Sequence, residues 1–249
     1  MFRKKLFVFL CLFTILFSLN AINIKAAGWG FSKNPNHETP EIGKYKKMIE
    51  DTSTYYVGDE TQKVVYLTFD AGYDNGQLEK ILKVLKDKNV KASFFITGDF
   101  VKRFSDLTCQ MTNDGHIICN HSYSHRKIQT LSKDELQKDL EKLENAYTSL
   151  TNCKLAKCFR PPEGEFSREA LKNVQSLGYK TVFWSIAYRD WDTKKQQSVD
   201  AAVRSVVDNL HNGAIILLHT VSSTNSESLG LIIDEINKQG YTFKTVLDL

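Results

Sequence analysis

From position 64 onward, short apolar runs alternate with segments of helical periodicity. The apolar runs lie at 64–69, 92–96, 116–119, 156–159, 181–184, 214–218 and 241–243. Runs of this length, without polar alternation, are typical of strands that are buried on both faces. The pattern therefore predicts seven buried strands.

The segments between these runs show the spacing of amphipathic helices. They lie at 78–88, 132–150, 168–177, 199–210 and 226–239. In the second of them Leu136, Leu140, Leu143 and Tyr147 recur at intervals of three and four residues, which gives one buried face. Ser132 and Glu135 form a capping-box pattern, so we expect the helix to begin there.

Strands that alternate with helices predict a parallel sheet with crossover helices, an α/β fold. Seven strands suit a barrel better than a small open sheet, and no domain boundary is visible after residue 61. Residues 28–61 are more polar and contain one short helical stretch at 44–50. We interpret 28–61 as an N-terminal arm and 62–249 as one domain.

The first 27 residues have the order of a secretory signal. Arg3, Lys4 and Lys5 precede an apolar run at 6–19, and small residues follow at 26–28. Cleavage there places Ile24 or Lys25 three residues before the cut, so an uncleaved membrane anchor is the alternative to a cleaved signal peptide. Both interpretations place the remainder outside the cytoplasm, with membrane contact only through this segment.

The charge balance narrows the kinds of partner that the chain can bind, and the cysteines bear on disulfide formation. Four of the 33 basic residues and none of the 29 acidic residues fall in the first 27 positions, so the remainder is neutral. A nucleic-acid partner is not expected without a basic patch, and we expect a monomer. Cys109, Cys119, Cys153 and Cys158 are compatible with disulfides in an oxidising space. Free buried thiols are the alternative, and we favour it for Cys119, which lies in an apolar strand.

Residues with catalytic potential follow five of the predicted strands. They are Asp70, the pair His121 and His125, Arg160, Asp190 and His219. Each alone has an ordinary structural explanation, such as a turn or a satisfied hydrogen bond. In a parallel barrel, however, all strand carboxyl ends open on one face, where active sites lie. Their joint placement therefore indicates an enzyme.

The two histidines are four residues apart, which places both imidazoles on one side if the segment turns helically. Two imidazoles suit zinc, cobalt, nickel or iron, commonly with a carboxylate as a further ligand. We therefore predict a divalent metal at His121 and His125.

The chain resembles the polysaccharide deacetylases with a NodB-homology domain, carbohydrate esterase family 4. The resemblance rests on five ordered motifs: Thr68-Phe69-Asp70-Ala71-Gly72, His121-Ser122-x-x-His125, Arg160-Pro161-Pro162-Glu163-Gly164, Asp190-Trp191 and Leu217-Leu218-His219. It implies a distorted (β/α)7 barrel and hydrolysis of an acetamide on a sugar.

The resemblance also implies roles for these residues. Asp70 is the general base, and Arg160 keeps it ionised. His219 is the general acid, tuned by Asp190. Trp191 and Leu217 form the walls of the pocket for the acetyl methyl group, and His121 with His125 holds the metal, which with a backbone N–H stabilises the oxyanion.

One position departs from the family pattern. The aspartate that normally supplies the third metal ligand is Ala71 here, and alanine cannot coordinate. We therefore expect a weakly bound ion, zinc by preference, on two histidines unless Asp74 reaches the site.

A narrower resemblance points to the sporulation enzymes that deacetylate N-acetylmuramic acid toward muramic δ-lactam in spore cortex. It rests on Trp29-Gly30-Phe31, on Gly72-Tyr73-Asp74-Asn75-Gly76 and on Leu218-His219-Thr220-Val221. It implies a peptidoglycan glycan strand as partner, contact of Tyr73 with substrate, and action at the cell wall or the developing spore envelope. The alternatives are a deacetylase of N-acetylglucosamine, of peptidoglycan or chitin type, and a glycan-binding protein on a degenerate barrel.

Overall fold

The computed structural model describes residues 26–32 and 36–249, which form eleven strands, eight α-helices and three short 3-10 helices. The strands are β1 Ala27–Gly28, β2 Thr54–Tyr55, β3 Val64–Ala71, β4 Ser93–Ile96, β5 Ile117–Asn120, β6 Ala156–Phe159, β7 Glu165–Phe166, β8 Lys180–Val182, β9 Ile186–Ala187, β10 Ala214–His219 and β11 Thr242–Lys244. The helices are α1 Tyr45–Ile49, α2 Leu78–Asp87, α3 Gly98–Arg103, α4 Ser105–Asn113, α5 Lys133–Thr151, α6 Arg168–Ser176, α7 Val199–Val207 and α8 Ser223–Lys238. Apart from residues 26 and 27, the predicted leader lies outside the described residues.

The main sheet confirms the predicted α/β class. Its strands run in the order β2-β8-β6-β5-β4-β3-β10-β9, with β11 beside the start of β3, and every ladder between them is parallel. All seven predicted strands are present, and β2 and β9 are two short additions. No ladder in the described part of the chain joins β2 to β9, so the sheet is a curled half-barrel rather than a closed ring of seven strands.

The centre of the sheet is buried on both faces, as the apolar runs predict. All eight residues of β3 are buried, and Phe69 stacks on Phe94 of β4 with ring centroids 5.1 Å apart. Burial of one such side chain contributes about 1.5–3 kcal/mol. This packing holds β3 rigidly in the sheet, and its carboxyl end carries Asp70.

Helix α5 covers one side of the sheet and begins where its sequence predicts. The Ser132 hydroxyl accepts the Glu135 N–H, and the Glu135 carboxylate accepts the Ser132 N–H. The four apolar positions from Leu136 to Tyr147 are buried.

Three helices differ from the prediction in their existence or in their starting residue. Helices α3 and α4, between β4 and β5, were not predicted, because only Thr108 and Met111 of α4 are buried and its apolar face is weak. Helix α8 begins at Ser223 rather than at 226, since the Ser222 hydroxyl accepts the Asn225 N–H and caps an earlier first turn.

The arm is attached to the domain beside the loop after β6. Strand β1 pairs with β7, and the Trp29 ring stacks on Phe183 with centroids 4.4 Å apart. The Trp29 indole N–H donates to the carbonyl of Trp184 at 2.9 Å. Strand β2, which the sequence places in the arm, pairs with β8 and is an edge of the main sheet.

Cys109, Cys119, Cys153 and Cys158 are free thiols in this structure, so no disulfide joins any two of them. Cys109 lies on α4, whereas Cys119 lies buried in β5 with its thiol facing Cys158. Residues 26–32 and 36–249 contain no helix that is long and apolar enough to span a membrane.

Candidate active site

The carboxyl ends of the central strands open on one cavity of about 910 Å³. Asp70 is the penultimate residue of β3 and His219 the last residue of β10, and the two residues are direct partners in the parallel ladder. Their side chains therefore lie on the same face of the sheet, and both line the cavity. His121 and His125 line it as well, as do Tyr73, Trp191 and Leu217. Arg160 and Asp190 lie behind this wall.

Arg160 holds Asp70 from beneath. Its side chain is fully buried, and Nη1 donates to Asp70 Oδ1 at 2.7 Å. Nη2 donates to the hydroxyl of Thr68 at 2.9 Å, and Nε donates to the Val182 carbonyl at 3.0 Å. The guanidinium also lies over the Phe95 ring, 4.1 Å from its centroid. These contacts leave the guanidinium little freedom, so its charge stays beside the carboxylate.

Asp70 is consequently ionised despite its burial. Burial alone raises the pKa of a carboxyl, but the charge of Arg160 and its hydrogen bond, with a smaller effect of the His219 imidazole, outweigh it, and the pKa of Asp70 lies below its ordinary value. A buried carboxylate with one free oxygen at a cavity can accept a proton from a bound water.

Asp190 holds His219 in one orientation. Its Oδ1 lies 2.7 Å from His219 Nδ1, and its Oδ2 accepts the His219 backbone N–H at 2.7 Å. Since a carboxylate can only accept, Nδ1 carries the proton and Nε2 is left for the cavity. Burial lowers the pKa of His219, but the charges of Asp190 and Asp70 outweigh it, and the net pKa is raised. The imidazole is therefore suited to donate a proton near neutral pH.

The two candidate metal ligands lie together, but not on a helix. The His121 and His125 rings are 5.1 Å apart between centroids. The segment between them is a loop in which Ser122 and His125 have left-handed backbone angles, with φ of 68° and 53°, so it does not turn helically. His121 Nδ1 donates to the Arg160 carbonyl at 2.9 Å, and Nε2 lies 3.7 Å from Asp70 Oδ2.

The sequence did not single out Asp139 on α5, which holds this loop. Its Oδ2 accepts the Ser122 hydroxyl at 2.7 Å and the Tyr123 N–H at 2.8 Å, and its Oδ1 accepts the N–H and hydroxyl of Ser124. One carboxylate thus replaces the hydrogen bonds that a helical turn would supply. Among the charged residues on the polar face of α5, nothing in the sequence distinguishes it.

The residues present fit a divalent ion on two imidazoles rather than three protein ligands. Because Nδ1 of His121 is used by a carbonyl, its Nε2 lone pair is available for coordination. Ala71 is apolar and buried. Asp74 does not reach the histidines: its carboxylate accepts the N–H groups of Gly76 and Leu78 at the start of α2. No cluster of three or more ligating side chains occurs within the described ranges.

The remaining predicted site residues form the cavity wall. Leu217 is buried beneath it, whereas Tyr73 and Trp191 are 44% and 54% exposed. Gly164, in the loop after β6, has a left-handed φ of 66°, and a Cβ there would lie 2.8 Å from the Trp184 ring and 3.3 Å from Trp29. Only glycine fits this junction between arm and cavity.

Comparison with known proteins agrees with the geometry. The family model for polysaccharide deacetylases matches residues 57–182, which is half of the chain. The chain belongs to the polysaccharide deacetylase family. It is therefore a hydrolase of that family, and the motifs Thr68–Gly72, His121–His125 and Arg160–Gly164 all lie within the matched region.

Individual relatives extend the match beyond that region. The chain is 41% identical to the peptidoglycan-N-acetylmuramic acid deacetylase PdaA of Bacillus subtilis, over 92% of this chain and 88% of the relative. The structure of Bacillus subtilis PdaA, a family 4 carbohydrate esterase, superposes with a TM-score of 0.87 over 92% of this chain and 98% of that one. A peptidoglycan-N-acetylglucosamine deacetylase of Bacillus cereus is 32% identical over 80% of this chain and 72% of its own length.

Proposed function

We propose that this chain hydrolyses the acetamide of N-acetylmuramic acid in peptidoglycan, on the way to muramic δ-lactam in spore cortex. The observation that carries the proposal is the pairing of an arginine-held carboxylate with an aspartate-held imidazole on neighbouring strand ends at one cavity. A pure glycan-binding protein has no use for a matched base and acid in register.

The residues divide the reaction between them. Asp70 accepts a proton from a water molecule while the oxygen of that water attacks the acetyl carbonyl carbon. Arg160 keeps Asp70 ionised before the attack. When the carbon–nitrogen bond breaks, His219 donates a proton from Nε2 to the leaving nitrogen, while Asp190 stabilises the imidazolium. The products are acetate and the free amine of the sugar.

His121 and His125 are the residues that would hold a divalent ion, zinc by preference. Such an ion, when bound, polarises the acetyl carbonyl and stabilises the negative charge on its oxygen. With only two protein ligands, we expect it to bind loosely.

The preference for muramic acid rests on the extent of the similarity. A match over 92% of the chain to a protein named for that substrate must extend into the arm, beyond the residues that the family model covers. Tyr73 and Trp191 stand exposed on the cavity rim, where they would contact neighbouring sugars. Because peptidoglycan lies outside the cytoplasm, the proposal agrees with export through the predicted leader at 1–27, whether cleaved or retained as an anchor.

The test is acetate release by the full-length protein from glycan strands that lack stem peptides. Mass spectrometry of the digested strands then shows whether muramic acid or glucosamine has lost its acetyl group. Loss of water in addition to the acetyl group on muramic acid marks lactam closure by the same protein. Asp70→Asn should abolish release, and Asp87→Asn, on the exposed face of α2, should not.

The alternative substrate is N-acetylglucosamine, favoured by the 32% identity to the Bacillus cereus enzyme. Release of acetate from glucosamine alone would select it and reject the muramic acid proposal. Binding of strands without any acetate release would instead support the degenerate, glycan-binding alternative.

A further inference from the structure

The side chain of Asn225 contacts the acid half of the site from behind. Asn225 lies in the first turn of α8 and is fully buried. Its Nδ2 donates to Asp190 Oδ2 at 2.6 Å and to the His219 carbonyl at 3.0 Å. The amide thus reaches both members of the acid pair without lining the cavity.

The orientation of this amide is determined by its neighbours. The Asp190 carboxylate and the His219 carbonyl can only accept, so the NH2 end of Asn225 faces them. On the other side, Oδ1 accepts a hydrogen bond from the Tyr188 hydroxyl. Tyr188 lines the cavity, and the chain of hydrogen bonds therefore runs from the cavity wall through Asn225 to Asp190.

Capping of helix α8 does not require this side chain. The Ser222 hydroxyl accepts the backbone N–H of Asn225, so the cap uses the main chain of Asn225 and leaves its amide free for Asp190. An asparagine that served only the helix end would have no reason to donate two hydrogen bonds into the acid pair.

Asp190 depends on a donor at its second oxygen. Oδ1 faces the imidazole, while Oδ2 accepts both the His219 N–H and the Asn225 amide. Without the amide, the carboxylate is held at Oδ2 by a single main-chain bond and can rotate. Rotation would weaken the bond to Nδ1–H, which selects the tautomer that presents Nε2 to the cavity.

We propose that Asn225 is a positioning residue for deacetylation, which locks the Asp190 carboxylate and thereby the tautomer and orientation of His219, with Tyr188 as its support. This inference rests on the proposed role of His219 as the acid. Asn225 carries no charge and does not line the cavity, so it acts by orientation alone.

The first test compares Asn225→Ala, Asn225→Asp and the matched control Thr224→Ala. Thr224 precedes Asn225 in the same turn, and its hydroxyl donates to the Gln197 carbonyl, away from Asp190. We expect Asn225→Ala to lower kcat roughly 10–100-fold, the size seen for supporting residues one contact removed from reacting groups, with KM within twofold. The isosteric Asn225→Asp should lose at least as much, because an ionised carboxylate cannot donate to Asp190. Thr224→Ala should leave both constants within twofold.

The second test reads the tautomer directly, without substrate. Nitrogen NMR of the imidazoles is recorded above the pKa of His219, where the ring is neutral and has a defined tautomer. It should show one Nδ1-protonated form in the native protein and a mixture in Asn225→Ala, with the His219 signals assigned by their absence in His219→Gln. Tyr188→Phe removes only the supporting hydroxyl and should show a smaller shift toward the mixture of tautomers. It replaces Asn225→Ala in this test if that variant does not fold.

Two results would overturn the inference. One is an unchanged His219 tautomer in a folded Asn225 or Tyr188 variant. The other is an equal loss of kcat in Asn225→Ala and Thr224→Ala, which would mean that Asn225 has only a structural role. Failure of the proposed acid role is a separate outcome, recognised by His219→Gln retaining full turnover.

Discussion

Asp70 and His219 are Cα partners in the ladder between β3 and β10. Because paired residues of parallel strands project to the same face, one register places a proton acceptor and a proton donor side by side at the cavity. A shift of one residue in β10 would turn His219 to the other face. The relative placement of base and acid is therefore determined by the strand register of the sheet and not by the surrounding loops.

Asp190→Asn should move the alkaline limb of the pH profile. Activity requires an ionised Asp70 and a protonated His219, so it falls when the pH rises through the pKa of His219. The charge of Asp190 raises that pKa, and its removal should shift the alkaline limb of kcat/KM to lower pH. The acid limb, set by Asp70, should move little. An alkaline limb that stays in place would contradict the assignment of His219 as the acid.

Arg160→Met should destabilise the fold and inactivate the enzyme together. It leaves a buried carboxylate without its cation, a loss of about 3–5 kcal/mol in the free energy of unfolding. Adding Asp70→Asn should restore part of that stability, because the unpaired charge is then gone. Urea denaturation of both single variants and the double variant measures the coupling.

The exposed ion pair of Lys83 and Asp87 supplies the control for this double-mutant cycle of Arg160 and Asp70. Lys83→Met should change the free energy of unfolding by less than about 1 kcal/mol, because surface ion pairs contribute little. Strict additivity of the two substitutions at Arg160 and Asp70 would show that their ion pair does not contribute to stability.

Zinc should be lost from the native protein during gel filtration and retained by Ala71→Asp. The substitution returns a carboxylate to the position after Asp70, giving the two histidines a third partner. Metal analysis of the eluted protein, beside activity with and without chelator, measures the difference. His125→Gln in the Ala71→Asp background should lose the ion again. Stoichiometric zinc retained by the unmodified chain would refute loose binding.

Gly164→Ala should cost more stability than Gly178→Ala. Both glycines have a left-handed backbone, so each substitution costs about 1–2 kcal/mol from backbone strain. A Cβ at Gly178 meets nothing within 4 Å, whereas a Cβ at Gly164 meets Trp184 and Trp29. We expect an additional loss of about 1 kcal/mol or more at Gly164 from overpacking, measured by thermal unfolding, and a raised KM because Trp184 lines the cavity. Equal losses would mean that the contact relaxes freely.

The strands and their polar end residues could be predicted because burial on two faces leaves an uninterrupted apolar run. Asp70, Arg160 and His219 stand directly at the end of such runs, and Asp190 follows one after a short extension. Strands β2 and β9 could not be predicted in this way, since two residues show no periodicity. The edges of the half-barrel were therefore missed.

The supporting residues could not be predicted for a different reason. Asp139 and Asn225 act through contacts 15 or more residues away in the chain, to Ser124 and to Asp190. Their own surroundings in the sequence are those of ordinary helix positions. The spacing of His121 and His125 was likewise compatible with a helix, and only the contact with Asp139 selects the loop instead.

Arg160 uses its guanidinium for Asp70 and its main-chain carbonyl for His121. Substitution at position 160 can remove the first contact but not the second. The unpaired charge that such a substitution leaves on Asp70 lowers folding stability, but in any variant that still folds the main-chain contact continues to orient His121. The charge beside Asp70 and the orientation of His121 can therefore be altered separately, although one residue supplies both.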